Sequence, residues 1–92
     1  VEKPYYDTEW WINGELHRDF DLPAIVGKYG TKEWWRNKER HREFDLPAVI
    51  DKYERREWYK NGDRHRCFDE PTLIRADGTK IWYKNNLIIR VI

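Results

Sequence analysis

The chain has 92 residues, room for one small domain, and such a domain buries only roughly 60% of the surface that its unfolded chain exposes. Its 18 Lys and Arg residues nearly balance its 17 Asp and Glu residues, which argues against a dedicated binder of polyanions. A single cysteine excludes a disulfide framework within the chain and a Cys-rich zinc module.

A repeat of 24 residues organises the whole sequence. The segments that begin at Glu9, Glu33 and Glu57 read EWWINGELHR, EWWRNKERHR and EWYKNGDRHR, and IWYKNNLIIR begins at Ile81. Further along each unit, DLPAIV, DLPAVI and DEPTLI recur at the same spacing. We therefore predict one repeat domain over residues 1–92, with a partial unit at 1–8, full units at 9–32, 33–56 and 57–80, and a half unit at 81–92.

Each unit begins with a predicted β-hairpin. Asn13-Gly14 and Asn61-Gly62 are typical of two-residue type I′ turns, and Asn37-Lys38 and Asn85-Asn86 hold the same position. A second turn is predicted at Tyr29-Gly30, Tyr53-Glu54 and Asp77-Gly78. No segment has the period of a helix. We predict an all-β fold in which tandem 24-residue hairpin repeats form a single twisted antiparallel sheet.

The turns predict which residues face each other across the strands. Counting from Asn61-Gly62 places Tyr59 opposite Arg64 and Lys60 opposite Asp63, and the equivalent count places Glu9 opposite Arg18 and Glu33 opposite Arg42. Counting from Asp77-Gly78 as a two-residue turn places Leu73 opposite Trp82 and Ile74 opposite Ile81. By equivalence, Ile25 should face Trp34 and Val49 should face Trp58.

The register separates two faces of the sheet. The first face is apolar apart from three histidines, and we predict that it forms the core. It consists of Trp10, Trp34, Trp58, Trp82, His17, His41 and His65, together with Ile25, Val49, Leu73 and Ile89.

The second face interleaves aromatic rings with arginines, and we call it the aromatic face. Aromatic and Arg side chains dominate protein-binding hot spots, so a protein partner is the first expectation for this face. Its residues are Trp11, Trp35, Tyr59, Tyr83, Arg40 and Arg64.

Other chemistry has little support in the sequence. The three histidines recur once per unit and would lie about 9–10 Å apart, too far for one zinc ion, so no metal or other cofactor is expected. Carboxylate pairs such as Asp19 and Asp21 also recur in every unit, which favours a role in turns over catalysis. Cys67 has no catalytic partner set, and we predict no enzyme activity. The arginines of the His-Arg pairs should pair with Glu or stack on a ring, namely Arg18, Arg42, Arg66 and Arg90.

The motif W-[WY]-x-N-[GKN]-x-x-H-R followed by D-L-P-A resembles the Asn-Gly, His-Arg, Pro-Ala variant of MORN-type repeats. Such repeats occur in proteins of large DNA viruses, bacteriophages and some bacteria. The similarity extends from about Glu9 to Arg90 and implies stacked β-hairpins with a scaffolding or partner-binding role. A weaker similarity connects the chain with the aromatic hairpin repeats of choline- and glucan-binding wall modules.

We therefore expect a non-enzymatic module that binds or scaffolds proteins, encoded by a virus or phage and directed at a host or virion protein. One alternative is self-assembly through the apolar edge Leu87–Ile92, and another is carbohydrate or choline binding. Neither nucleic acid nor a membrane is expected as a partner. No apolar run could span a membrane and no signal peptide is visible, so an intracellular location is expected, in the host cytoplasm if the source is viral.

Overall fold

The computed structural model describes residues 8–67 and 69–92, so the predicted partial unit at 1–8 lies almost entirely outside the described residues. The described residues form short strands and turns, which confirms the all-β class. None of them belongs to a helix that could cross a membrane.

The described residues contain fourteen short strands. They are β1 (Thr8–Glu9), β2 (Trp11–Ile12), β3 (Glu15–Leu16), β4 (Ile25–Val26), β5 (Lys32–Glu33), β6 (Trp35–Arg36), β7 (Glu39–Arg40), β8 (Val49–Ile50), β9 (Arg56–Glu57), β10 (Tyr59–Lys60), β11 (Asp63–Arg64), β12 (Leu73–Ile74), β13 (Lys80–Lys84) and β14 (Leu87–Val91).

Eight of these strands form one antiparallel sheet in the order β1-β4-β5-β8-β9-β12-β13-β14. The remaining described strands form three separate two-stranded hairpins, β2-β3, β6-β7 and β10-β11. The predicted antiparallel sheet is therefore present in these eight strands, and it carries a row of small hairpins that the prediction did not separate from it, one for each full unit.

The hairpins leave the large sheet because each full unit bends at its first tryptophan. The backbone N–H of Trp34 donates to the carbonyl oxygen of Ala48 in the large sheet, at 2.8 Å, whereas its own carbonyl accepts from the N–H of His41, at 3.1 Å. In a regular antiparallel strand both backbone groups of one residue bond to the same neighbour. Trp34 bonds to two different neighbours and so marks a corner, and Trp10 and Trp58 make the equivalent bonds.

The two kinds of turn differ in length. The register of the Asn turns is as predicted, with Tyr59 opposite Arg64 and Lys60 opposite Asp63. The second turn is one residue longer than predicted, because the N–H of Arg75 donates to the carbonyl of Thr79 and encloses three residues, the last being Gly78 with φ of 91°.

The longer loop shifts the register of the large sheet by one residue. Leu73 faces Ile81 rather than Trp82, and Ile74 faces Lys80 rather than Ile81. The equivalent predictions for the earlier units were wrong for the same reason. Ile25 faces Glu33, and Val49 faces Glu57.

The core lies around the corner tryptophans. Trp34, Trp58 and Trp82 are buried, and Ala24 and Ala48 are fully enclosed. Trp10 is half-buried. The predicted core positions of the histidines hold only in part, since His41 is buried, His17 is half-buried and His65 is exposed. Ile89 was also placed in the core and is 59% exposed, because it lies on the outermost strand β14 at a register shift that pairs Trp82 with Arg90 instead.

Candidate partner-binding surface

An arginine joins the second unit to the first, and the equivalent arginine joins the third unit to the second. The guanidinium group of Arg42 lies 3.7 Å from the ring centroid of Trp34 and makes a bidentate ion pair with Asp21, at 2.9 and 3.3 Å. Trp34 Nε1 donates to the backbone carbonyl of the same Asp21, at 3.0 Å. Arg66, Trp58 and Asp45 repeat these contacts one unit later. The predicted stacking is thus present, and Arg18 and Arg90 also lie over tryptophan rings.

The carboxylate partner of these arginines differs from the prediction. Arg42 was expected opposite Glu33 but pairs with Asp21 of the preceding unit. The corner at Trp34 explains the change, because residues beyond the hairpin no longer continue the register of the large sheet. Glu33 pairs instead with Arg40, at 3.0 Å.

The same contacts fix a loop that presents a phenylalanine to solvent. Phe20 and Asp21 both have positive φ, 64° and 54°, and Phe44 and Asp45 repeat this with 63° and 56°. Phe20 is 92% exposed and Phe44 is 85% exposed. A non-glycine residue in the left-handed region costs about 1–3 kcal/mol, and such residues cluster at functional sites.

Each of these phenylalanines lines a cleft against the next unit. Phe20 and Trp34 line a cleft of about 190 Å³, and Phe44 and Trp58 line the equivalent cleft of about 320 Å³. The two clefts lie one repeat apart and have matching walls. The protein therefore offers similar grooves in series, each with an exposed aromatic ring.

The structure brings five of the six residues of the aromatic face together. Arg40 lies between Trp35 and Tyr59, with its guanidinium carbon 5.0 and 5.4 Å from the two ring centroids. Arg64 lies between Tyr59 and Tyr83 in the same way, at 5.6 and 4.5 Å. Trp11 belongs to the first unit, where Leu16 takes the position of the arginine.

Exposure varies along this face. Trp11 is 55% exposed, Trp35 and Tyr83 are half-buried, and Tyr59 is only 9% exposed. Tyr59 packs in a core cluster with Trp34 and Ala48. Most of the aromatic face is therefore a packed layer between hairpins rather than an open surface.

Glutamates satisfy the polar groups of the aromatic face. Glu33 accepts from Trp35 Nε1 at 3.1 Å, and Glu57 accepts from the Tyr59 hydroxyl at 3.1 Å. Burial raises the pKa of the Tyr59 phenol, and the nearby Glu57 carboxylate raises it further. The hydroxyl therefore stays protonated and acts as a donor.

Two histidines connect successive hairpins. His41 Nδ1 accepts from the backbone N–H of Asn61 at 3.1 Å, so Nε2 carries the proton and donates to Glu43 at 2.6 Å. His17 makes the equivalent bonds, whereas His65 Nε2 lies 3.8 Å from the Cys67 sulfur. The bond from His41 lowers the pKa of the Glu43 carboxyl. Within residues 8–67 and 69–92, no group of three or more His, Cys, Asp or Glu side chains could hold a metal ion.

Phe20 and Phe44 are the candidate residues that the sequence interpretation missed. A signal was present, since phenylalanine recurs at positions 20, 44 and 68 with the period of the repeat. Residue 68 is outside the described residues. A phenylalanine between charged residues, directly before Asp-Leu-Pro or Asp-Glu-Pro, could have been identified as an exposed loop residue.

Comparisons of the chain with models of protein families, with curated proteins and with solved structures gave no match. The geometry described above is therefore the basis for assigning a function.

Proposed function

We propose that the protein is a non-enzymatic module that binds a partner protein through its phenylalanine loops and the adjoining clefts. The observation that carries this proposal is the exposure of Phe20 and Phe44, at 92% and 85%, on loops held in an unfavourable backbone conformation. Folding alone does not require a large apolar ring at a position exposed to solvent. Several such rings at regular spacing favour association with another protein.

The loops are ordered before any partner arrives. Asp21 and Asp45 tie them to Arg42 and Arg66, so little conformational entropy remains to be lost at these positions on binding. A viral or phage origin and a host or virion partner remain part of the proposal, on the strength of the MORN-type resemblance.

Protein binding is favoured over sugar or choline binding by the aromatic face. Sugars and quaternary amines bind to open ring faces, but Arg40 and Arg64 already lie over the rings of Trp35, Tyr59 and Tyr83. A ligand of that kind would first have to displace a guanidinium group that is paired with a glutamate.

Photo-crosslinking tests the proposal directly. Phe44 is replaced by the photoreactive analogue p-benzoylphenylalanine, and the chain is irradiated in extracts of its natural source. We expect one predominant covalent adduct with a partner protein. The matched control places the analogue at Tyr53, another loop aromatic that is exposed on its own turn.

The adduct must then be reproduced with purified components. The purified partner should bind the unmodified chain, and Phe20→Ala/Phe44→Ala should weaken that binding without loss of β-structure. Equal crosslinking from positions 44 and 53, or undiminished binding by the double variant, would contradict the proposal.

Self-assembly is a second candidate, favoured by the position of β14. The position of β14 beside β13 is equivalent to that of β8 beside β5 and of β12 beside β9 in the earlier units. Val91 faces Ile81 just as Leu73 faces Glu57, so β14 takes the place of the second large-sheet strand of its own unit, equivalent to β12 in the third unit. Its five residues are exposed, and in the other units a strand of the type of β1 covers the outer edge. The β1 strand of a second copy has the matching pattern.

A further inference from the structure

A basic cleft separates the third hairpin from the last one. It has a volume of about 610 Å³ and lies between β10-β11 and the turn of β13-β14. Four cationic side chains line it, against the single carboxylate of Asp63, and three asparagines complete its rim. The cations are Lys60, Arg64, Arg66 and Lys84.

The cleft is open because two hydrogen bonds that link the earlier hairpins to one another, both donated by backbone N–H groups, are not formed at this place. Between the second and third hairpins, the N–H of Gly62 donates to the carbonyl of Arg40 at 2.9 Å, and the N–H of Asn61 donates to His41. The equivalent bonds from Asn86 to Arg64 and from Asn85 to His65 are absent from the described residues. The carbonyl of Arg64 and Nδ1 of His65 thus lack the N–H donors that their counterparts have.

The continuous course of β13 explains the difference. Strands bend out of the large sheet at Trp34 and Trp58, but β13 continues past Trp82, where its register with β14 shifts by one residue, and it still pairs with β14 in the large sheet. The last turn therefore stays in the large sheet and does not close over the third hairpin.

The charge in the cleft is incompletely neutralised. Arg40 donates through Nε to Glu33 at 3.0 Å, whereas its counterpart Arg64 lies 3.6 Å from Glu57, and Arg64 Nε is buried without a partner among the described residues. Arg66 is paired with Asp45, and the charge of Lys60 helps to lower the pKa of Glu43, whereas Lys84 makes no ion pair with any carboxylate that the structure describes.

We infer that this cleft binds an extended acidic segment of a protein, which would supply carboxylates to the cations and backbone N–H donors to the Arg64 carbonyl and His65. A small phosphate ion could meet the cations, but it has no row of backbone N–H groups to place on both acceptors at once. Carboxylates are also the anions that this chain already pairs with its arginines, as in the contact between Arg66 and Asp45. The inference rests on the proposed function in that it gives the partner an acidic segment.

A fluorescein-labelled peptide of alternating Glu and Gly residues tests the inference by fluorescence anisotropy at low salt. We expect saturable binding that shifts the backbone amide NMR signals of residues 60–66 and 83–86. Lys60→Gln/Lys84→Gln should weaken binding about tenfold or more, since about 1.4 kcal/mol corresponds to tenfold. Lys32→Gln/Lys38→Gln removes the same charge elsewhere and should have little effect.

Three results would overturn the inference. Equal weakening by both lysine pairs would show attraction by overall charge, and inorganic phosphate that displaces the peptide at millimolar concentration or below would show a small-anion site. A peptide with N-methylated backbone nitrogens that binds as tightly as the parent would exclude the backbone donors. Because the probe is independent of Phe20 and Phe44, failure here leaves the phenylalanine loops to be judged by crosslinking alone.

Discussion

At the scale of single residues, the corner tryptophans and the His-Arg pairs have several roles at once. Trp34 fills the core, donates to Asp21 and supports the guanidinium group of Arg42. The neighbouring His41 connects its own hairpin to the next through Asn61. Each of these side chains makes contacts in two units, so a single substitution would disturb both. This explains why tryptophan, histidine and arginine recur together in the repeat.

The bond between His41 and Glu43 predicts a pH effect. The lowered pKa of Glu43 means that the folded chain holds the ionised carboxylate more strongly than the unfolded chain does. The contribution to stability is therefore present above the unfolded pKa, about 4.3, and is lost as the pH falls through the lower folded pKa. We expect Glu43→Gln to flatten the acid side of a plot of melting temperature against pH.

The control for this effect is Glu39→Gln, which removes a carboxylate from the same unit without touching His41. It should keep the acid-side slope of the parent chain. If both variants flatten the curve equally, the slope reflects net charge rather than the hydrogen bond.

At the scale of elements, turn chemistry was predictable where it is local. Asn-Gly at two adjacent positive-φ positions specifies a two-residue hairpin, and the register at Tyr59 and Arg64 followed correctly. Asp77-Gly78 suggested the same turn, but a three-residue loop also favours glycine at its last position, where φ is positive, so the dipeptide fits both. Only the bond from Arg75 to Thr79 distinguishes them.

The turn of the second hairpin, β6-β7, holds a lysine in a backbone conformation that favours glycine. Lys38 has φ of 71° in the position where Gly62 has 86°. Lys38→Gly should raise the free energy of unfolding by about 1 kcal/mol in urea denaturation, because glycine adopts this conformation without strain.

The reverse change at the third hairpin provides the comparison. Gly62→Ala should lower stability, since it introduces strain and places a Cβ 2.9 Å from Glu39 Oε2. That oxygen ends a flexible side chain and can move, so the loss should come mainly from the backbone. A Lys38→Gly variant no more stable than the parent chain would show that the turn tolerates its lysine.

At the scale of the whole molecule, the corners were beyond sequence reasoning. Alternation of side chains predicts two faces for a regular strand, but Trp34 bonds to two different neighbours, and this depends on how hairpins pack rather than on local pattern. For the same reason the burial of the aromatic face was not foreseen: five of its six predicted residues lie together, and one of them, Tyr59, lies in the core cluster. The sequence did not predict the loops of Phe20 and Phe44, because their conformation is set by Asp21 and Asp45, which bond to the following unit.

The self-assembly candidate makes its prediction at this scale. Ile92 exchanges both backbone bonds with Lys80, so the backbone groups of its neighbour Val91 point away from β13. Val91→Pro should therefore block addition of a further strand while keeping the bonds between β13 and β14. Light scattering should show that the parent chain associates as its concentration rises and that the variant does not.

A parent chain that stays monomeric at high concentration would exclude this route. Unchanged association by Val91→Pro, with intact β-structure by circular dichroism, would place the contact elsewhere.

The bonds described above between neighbouring units join residues that are close together in the sequence, which affects how the chain folds. Trp34 reaches Asp21 across 13 residues, and Arg42 reaches it across 21. β-Proteins usually fold slowly because distant segments must meet before any contact is gained. Here the entropy lost in closing each loop is small and similar from one unit to the next, so folding can start at a central pair of units and spread outward. The two ends of the molecule need never meet.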